Sequence, residues 1–513
     1  MKKGSLLLPE NDLQLKTKTI RKSFFNANDK NEVAKSINDN TAKVDKIAKA
    51  FTAGTGITPE TQPDGAAYRL ESLDPTLNIS TWGDMDYTIY KDLYRQPVNQ
   101  TVQKYTVYYS HGRTGHQMFQ TEIAKLSSNE PRARQKTVNV KFLVDTKGSS
   151  FAMQWANTTV DTNTLLEISG VNNIAKAIEY ATFYGDSDLA AQDGEGLEFD
   201  GLEKLMDEHN KIDMRGTSLT PQALNLAAVK IGQGFGIATD AYMPIGVKAD
   251  FVNEHLAAQR ILQPNSAGNG MQVGFDVARF ISARGNINLH GSTIMDLDKK
   301  LDLDQVPDQN APAAPKVTTK VNTGTEGKFL ADDKKDKNGN VVLNKEVGTD
   351  VKYRVVAVGN KDSLPSDVVT AHIANATDTV ELTIQPNRLV ASLPDYIAVY
   401  KQSDVPGDDQ FWLVGRVAIS KMQGDSIKFV DDGSTIPGTG DVFVLENKPE
   451  TVRYLEFSNG ILKFPLAITT TATNFALIWY GCLQVTFPKR IVLLKNVLYN
   501  SNASSIPSSV IEG

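Results

Sequence analysis

The sequence predicts an α+β protein interrupted by an inserted all-β sandwich. Three observations carry that expectation. Apolar residues recur at helical spacing over Thr162–Tyr184. A proline-stiffened stretch, Val306–Pro315, opens a series of short β-rich segments with turn signals. After Lys448 longer apolar strands return, so the sandwich reads as inserted into a parent domain and not appended to it. The composition suits a large globular protein. At about 150 residues per domain, 513 residues make roughly three and a half domains. Hydrophobic residues are 40% and charged residues 22%, an ordinary globular balance. Lys and Arg number 54 against 60 Asp and Glu, a net charge of −6, which makes the chain a poor general binder of phosphate backbones. Cys482 is the single cysteine, which excludes internal disulfides and Cys-rich zinc sites.

The first fifty residues stand apart. From Met1 to Phe25, six basic residues outweigh Glu10 and Asp12 by a local +4. Met1–Pro9 imitates a secretory signal, but its apolar run stops at Pro9 and charge follows. No stretch approaches the roughly 20 apolar residues of a membrane-spanning helix, so a reducing cytoplasm is the expected site of folding. Val33, Ile37, Val44, Ile47 and Phe51 share one helical face, stopped by Gly54 and Gly56. An amphipathic helix behind a basic leader fits an arm, a partner-binding segment, a removable pro-region or a helix packed on its own domain.

From Thr101 the pattern alternates, giving strands over Thr101–Tyr108 and Thr137–Val144. Between them lies the polar segment Ser110–Lys136, with His111, Arg113, Arg132 and Arg134. So long a hairpin projects from the body and is usually functional. The helix Thr162–Tyr184 follows, stopped by Gly185, and then a Gly- and acid-rich loop, Gln192–Asp200. A further α/β region holds a helix at Pro221–Gln233, a strand at Tyr242–Val247 and a helix at Asp250–Ile261. Beyond the linker the sandwich strands are Lys316–Val321, Val341–Leu343, Tyr353–Val358, Asp367–Ile373, Thr379–Ile384, Tyr396–Tyr400, Phe411–Val417 and Ile427–Val430. Asn338-Gly339 is a type I′ hairpin signal.

Catalytic patterns fail one by one. Gly232-Gln233-Gly234-Phe235-Gly236 has the wrong spacing for a nucleotide loop and lies at a helix end, where a C-cap with close packing explains it better. In Asp332–Lys345 a calcium-type loop would place lysines where positions one and twelve need carboxylates. His111 and His116 lack a third ligand. Glu195, Glu198 and Asp200 read as a solvated loop before a general-acid pair, and Cys482 as a buried small hydrophobe. No catalytic, cofactor or metal residues are assigned.

Several blocks, in this order, resemble the major capsid proteins of large contractile-tailed phages of Gram-positive hosts, the Herelleviridae type. They are Gly54–Pro59, Arg134–Val138, Thr182–Asp186, Gly196–Leu202, Gly234–Val247, Ala249–Asn253, Ser282–Gly285, Leu289–Thr293 and Trp479–Gly481. The resemblance implies the Hong Kong-type capsid fold. It would make 1–50 a leader, 51–100 the N-arm and start of the peripheral domain, and 101–144 the extended loop. Residues 145–200 would be the peripheral domain with its spine helix, and 201–310 the axial domain. The inserted module, 311–448, resembles an immunoglobulin or fibronectin type III unit, and 449–513 would return to the parent domains. The first fifty residues are longer than the family pattern.

The resemblance also implies partners: identical copies in hexameric and pentameric capsomers, with scaffold, portal and a head-maturation protease during assembly. Packaged double-stranded DNA would be contacted only weakly, no membrane would be involved, and the location would be the virion capsid. An Ig-module surface adhesin, and an enzyme with an unrecognised site, are the alternatives. Arg113, Arg132 and Arg134 are the expected inter-subunit contacts of the extended loop. Lys125 and Lys136 would be cross-linking lysines by position only, and covalent linkage between subunits is not expected. The module is expected on the outer surface, as a clamp between capsomers or a glycan-binding unit.

Overall fold

The computed structural model describes residues 87–112, 122, 130–155, 161–189, 196–256, 277–297, 299–301, 311–335, 339–359, 361–386, 394–458, 460–467 and 471–498. The leader, most of the arm, Arg113, His116, Lys125, Glu195, Ile261 and the linker at 302–310 lie outside them.

In chain order a short helix, Ile89–Asp92, precedes strands β1 (Arg95–Pro97), β2 (Val102–Ser110), β3 (Arg132–Asn139) and β4 (Lys141–Ser150). The long helix Thr162–Tyr184 follows, with the bounds its periodicity predicts. Next come β5 (Lys211–Ser218), the helix Pro221–Gln233, β6 (Asp240–Pro244), the helix Ile245–Leu256, β7 (Arg279–Ser282) and β8 (Gly285–Ser292). The module supplies β9 (Lys316–Asn322), β10 (Lys334–Lys335), β11 (Val341–Leu343), β12 (Asp350–Val358) and β13 (Val369–His372). It continues with β14 (Thr379–Gln385), β15 (Tyr396–Gln402), β16 (Phe411–Ala418) and β17 (Ile427–Asp431). The chain closes with β18 (Thr439–Leu445), β19 (Val452–Glu456), β20 (Leu462–Pro465), β21 (Ala472–Val485) and β22 (Ile491–Leu498).

The long helix is started by Asp161, whose carboxylate accepts the Thr164 N–H at 3.1 Å. It lies on a five-stranded sheet in which β21 pairs with β4, β19 and β20, and β19 with β1. Gly170 permits that approach, because a Cβ there would fall 2.4 Å from the Leu477 side chain. Ile174, Ile178 and Phe183 bury against Leu477, Trp479 and Tyr454.

The second parent sheet has six strands in the order β5-β22-β18-β6-β8-β7. One face packs Met243, Val444 and Leu494 under the helices Pro221–Gln233 and Ile245–Leu256. The other sends Tyr242, Phe443 and Leu493 into the core of the long helix, where the Phe183 and Phe443 rings lie 5.2 Å apart. The strand expected over Tyr242–Val247 ends at Pro244, and the next helix starts at Ile245, not at Asp250. Proline offers no N–H to continue a ladder, yet fits at the threshold of a helix.

All eight expected module strands are present. Seven of them form a four-stranded sheet, β13-β12-β15-β16, and a three-stranded sheet, β17-β14-β9, while the eighth, β11, pairs with β10. Val355, Ile397 and Val399 of the first share one core with Leu382, Ile384 and Ile427 of the second. Lys335 pairs with Val341, and Asn338 of the expected type I′ turn lies outside the described residues.

Two expected boundaries are corrected. The extended hairpin ends at Asn139, not Val144: buried Val140 donates its N–H to Thr101 O at 2.8 Å, and Lys141–Ser150 joins the five-stranded sheet. The module ends before Thr439, not at Lys448. All seven residues of β18 are buried, and the strand sits between β22 and β6 in the parent sheet. Burial on both faces is the mark of a central strand.

Candidate functional site

The hairpin of β2 and β3 pairs, among the described residues, with no other strand. Its register sets Tyr105 opposite Lys136, Val107 opposite Arg134 and Ser110 opposite Arg132, with an irregularity between Tyr108 and Ser110. Opposed residues share a face, so Arg132, Arg134 and Lys136 form one exposed basic row at alternate positions. Near the base of that face the Tyr105 hydroxyl donates to Val485 O at 3.1 Å, fixing the hairpin to the five-stranded sheet. Val102 and Tyr108 are half-exposed on the opposite face. His111 meets the Tyr108 ring edge-on at 5.2 Å, with no second histidine among the described residues beside it. The structure therefore brings Arg132 and Arg134 together and adds Lys136, while Arg113 lies outside the described residues.

A second surface was not anticipated. On the five-stranded sheet, pairing puts Val144, Ile478 and Leu462 in one row and Phe142 beside Tyr480, away from the side chains that meet the long helix. Phe142 is 58% exposed, and Trp155, just past β4, is 85% exposed. Alternation of Phe142 and Val144 in the sequence was the available signal, but it does not say which face is covered.

The module is fastened to the parent at both ends. Lys299–Leu301 runs beside β16, with Leu301 N–H donating to Phe411 O at 2.8 Å and Leu413 N–H to Lys299 O at 2.7 Å. Arg416 of β16 donates to both Glu198 oxygens at 2.9 and 3.0 Å, and also to Tyr184 O. At the far end Asn496 accepts the Ile436 N–H at 3.0 Å and donates to Ser434 O at 2.8 Å. Glu198 is thus an ion-pair partner, not half of a general-acid pair. Burial raises the Asp200 carboxyl, but hydrogen bonds from Ser187 and Lys204 outweigh it and hold the group below the usual carboxylate range.

Two further sequence candidates, Gly234 and Cys482, are structural. Gly234 caps its helix by donating to Lys230 O and Ile231 O, and a Cβ there would meet Lys489 O at 2.7 Å. Burial pushes the Cys482 thiol up to about 12, which leaves it unreactive at neutral pH. Among the described residues no three His, Cys, Asp or Glu side chains are grouped to hold a metal ion. No described helix is long and apolar enough to cross a membrane.

No protein-family model matches the chain. A protein of Enterococcus phage phiEF24C is 42% identical over 463 residues, covering 90% of this chain and 96% of its own. The major capsid protein of Staphylococcus phage K is 42% identical over 457 residues, covering 88% and 95%. Among solved structures, the capsid of the native GTA particle covers 86% of this chain and 99% of its own at 10% identity. Its TM-score is 0.43, too slight a likeness to identify a fold. Identity at that level with named capsid proteins, held across nine-tenths of the sequence, settles the family: the chain belongs to the bacteriophage major capsid proteins and is a structural protein of the virion capsid.

Proposed function

We propose that identical copies assemble as hexameric and pentameric capsomers into the icosahedral head shell of a tailed double-stranded DNA phage, on a Hong Kong-type fold. In this reading the β2–β3 hairpin is the extended loop, Thr162–Tyr184 the spine helix and the six-stranded sheet the axial domain. The β module is an immunoglobulin- or fibronectin-like unit on the outer surface. Scaffold, portal and head-maturation protease act during assembly, packaged DNA is contacted weakly, and catalysis plays no part.

The hairpin carries this reading. A lone two-stranded sheet is marginal in water, and this one exposes an alternate basic row along its length. Docking on carboxylates of a neighbouring copy supplies the missing support, with Arg132 and Arg134 as the charge-assisted donors. The test is Arg132→Glu combined with Arg134→Glu. The subunit is expected to keep its circular dichroism spectrum and to sediment as small species, without shells. Normal shells from the double variant would overturn the assignment.

A further inference from the structure

Against the core of the β module, one ammonium group lies among three carboxylates. Lys401 on β15 and Glu346 ahead of β12 are completely buried. The Lys401 Nζ donates to the Glu346 carboxylate, lies 3.8 Å from Asp431 Oδ2 at the end of β17, and stands 5.0 Å from the centre of the Phe329 ring. Glu346 is itself oriented by the Leu330 N–H, which it accepts at 2.7 Å. Asp431 is held at both oxygens: the Tyr353 hydroxyl donates to Oδ2 at 2.7 Å, and the Gly433 N–H to Oδ1 at 2.9 Å. Asp404 completes the group, its carboxyl driven well above the usual range by burial and by Glu346 beside it.

Such a cluster is costly as an ionic assembly, because each buried charge gives up its hydration. It also contains the parts of an acyl transfer. There is an amine, a carboxylate in contact with it to take a proton, and a second carboxyl polarised by two fixed donors, in a site walled from water by Phe329 and Tyr353. Condensing an ammonium with a carboxylate leaves a neutral amide, removes two buried charges and returns one water to the solvent.

We propose that Lys401 and Asp431 condense into an intramolecular amide, with Glu346 as the proton carrier. Lys401 passes a proton to Glu346, and the freed amine attacks Asp431 Cγ, forming the C–N bond. The oxygen charge that develops is held by Tyr353 and Gly433. Glu346 then returns its proton to the departing oxygen, which also takes a second proton from the nitrogen and leaves as water. One ammonium and one carboxylate become one amide and one water, and no co-reactant is needed. Burial works against the charge on Lys401, but the surrounding carboxylates outweigh it and keep the amine protonated. The reaction is therefore slow, and each chain performs it once. The product ties the four-stranded sheet to the three-stranded sheet within one chain, and it does not depend on shell assembly.

The test is peptide mapping with mass measurement on the full-length chain after incubation at neutral pH. The expected result is a branched peptide joining the segments of Lys401 and Asp431, about 18 Da lighter than the two together, the mass of the water lost on acylation of the amine. Lys401→Arg and Glu346→Gln, each checked for folding by circular dichroism, are expected to yield the two peptides unlinked. Unlinked peptides from the incubated wild-type chain would overturn the proposal. So would a branched peptide that survives in Lys401→Arg.

Discussion

The Glu179 carboxylate, inside the long helix, accepts the backbone N–H of Tyr90 at 2.8 Å. Its other oxygen accepts the Thr88 hydroxyl at 2.8 Å and the N–H groups of Thr88 and Ile89 at 3.1 and 3.2 Å. One buried acid thus satisfies the open donors of the helix Ile89–Asp92 and pins the chain to the long helix just ahead of the hairpin.

Glu179→Ala therefore strands several buried donors. At about 1–3 kcal/mol for a buried group left unpaired, the loss should reach several kcal/mol. Amide hydrogens of Ile89–Leu93 should exchange earlier than those of the long helix, as read by hydrogen–deuterium exchange. Unchanged protection would refute this account of the contact.

Asp296 gives a pH dependence with a definite sign. Burial pushes its carboxyl to about 6, and its Oδ1 has no hydrogen-bond partner among the described residues. The folded state binds that proton more tightly than the unfolded chain does, so the group's contribution is complete below about pH 4 and is lost as pH rises through about 6. Asp296→Asn should be near neutral at pH 4 and stabilising by about 2–3 kcal/mol at pH 8. Urea midpoints at the two pH values measure the difference.

Arg416→Ala should separate the module from the parent without unfolding either. It removes the paired contact to Glu198 and the bond to Tyr184 O in a largely buried setting. The cost is about 2–4 kcal/mol, part of it the desolvated Glu198 left behind. Calorimetry should resolve two transitions where the wild type shows one.

The corrected boundaries set where the module can be removed. Replacing Lys316–Ser434 with a short Gly/Ser linker should leave a soluble parent with native circular dichroism. Replacing Ala311–Lys448 should yield aggregate, because it removes β18 from the middle of the six-stranded sheet. Equal behaviour of the two deletions would contradict the sheet order.

Local periodicity made the long helix and the module strands legible, since each is written in contiguous residues. The membership of β18 was not legible: an apolar run such as Val442–Leu445 suits a sandwich core and a central parent strand equally. Arg132 and Arg134 stood out as exposed basic residues, and simple alternation adds Lys136. Arg416 and Glu198, by contrast, are 218 positions apart, and nothing local marks either as the other's partner. The turn of the chain at Val140 depends likewise on a contact with Thr101 that no pattern announces.

The position of β18 also orders events during synthesis. β5, β6 and β8 leave the ribosome before the module, whereas β18 and β22, which lie between β5 and β6, leave after it. The nascent parent must wait with its apolar strands uncovered while the module, whose sheets contain no parent strand among the described residues, completes its own core. Slow translation between Ser434 and Leu498 would lengthen that exposure, so the stretch that delivers β18 and β22 is where the folding parent is most open to aggregation and most in need of a chaperone.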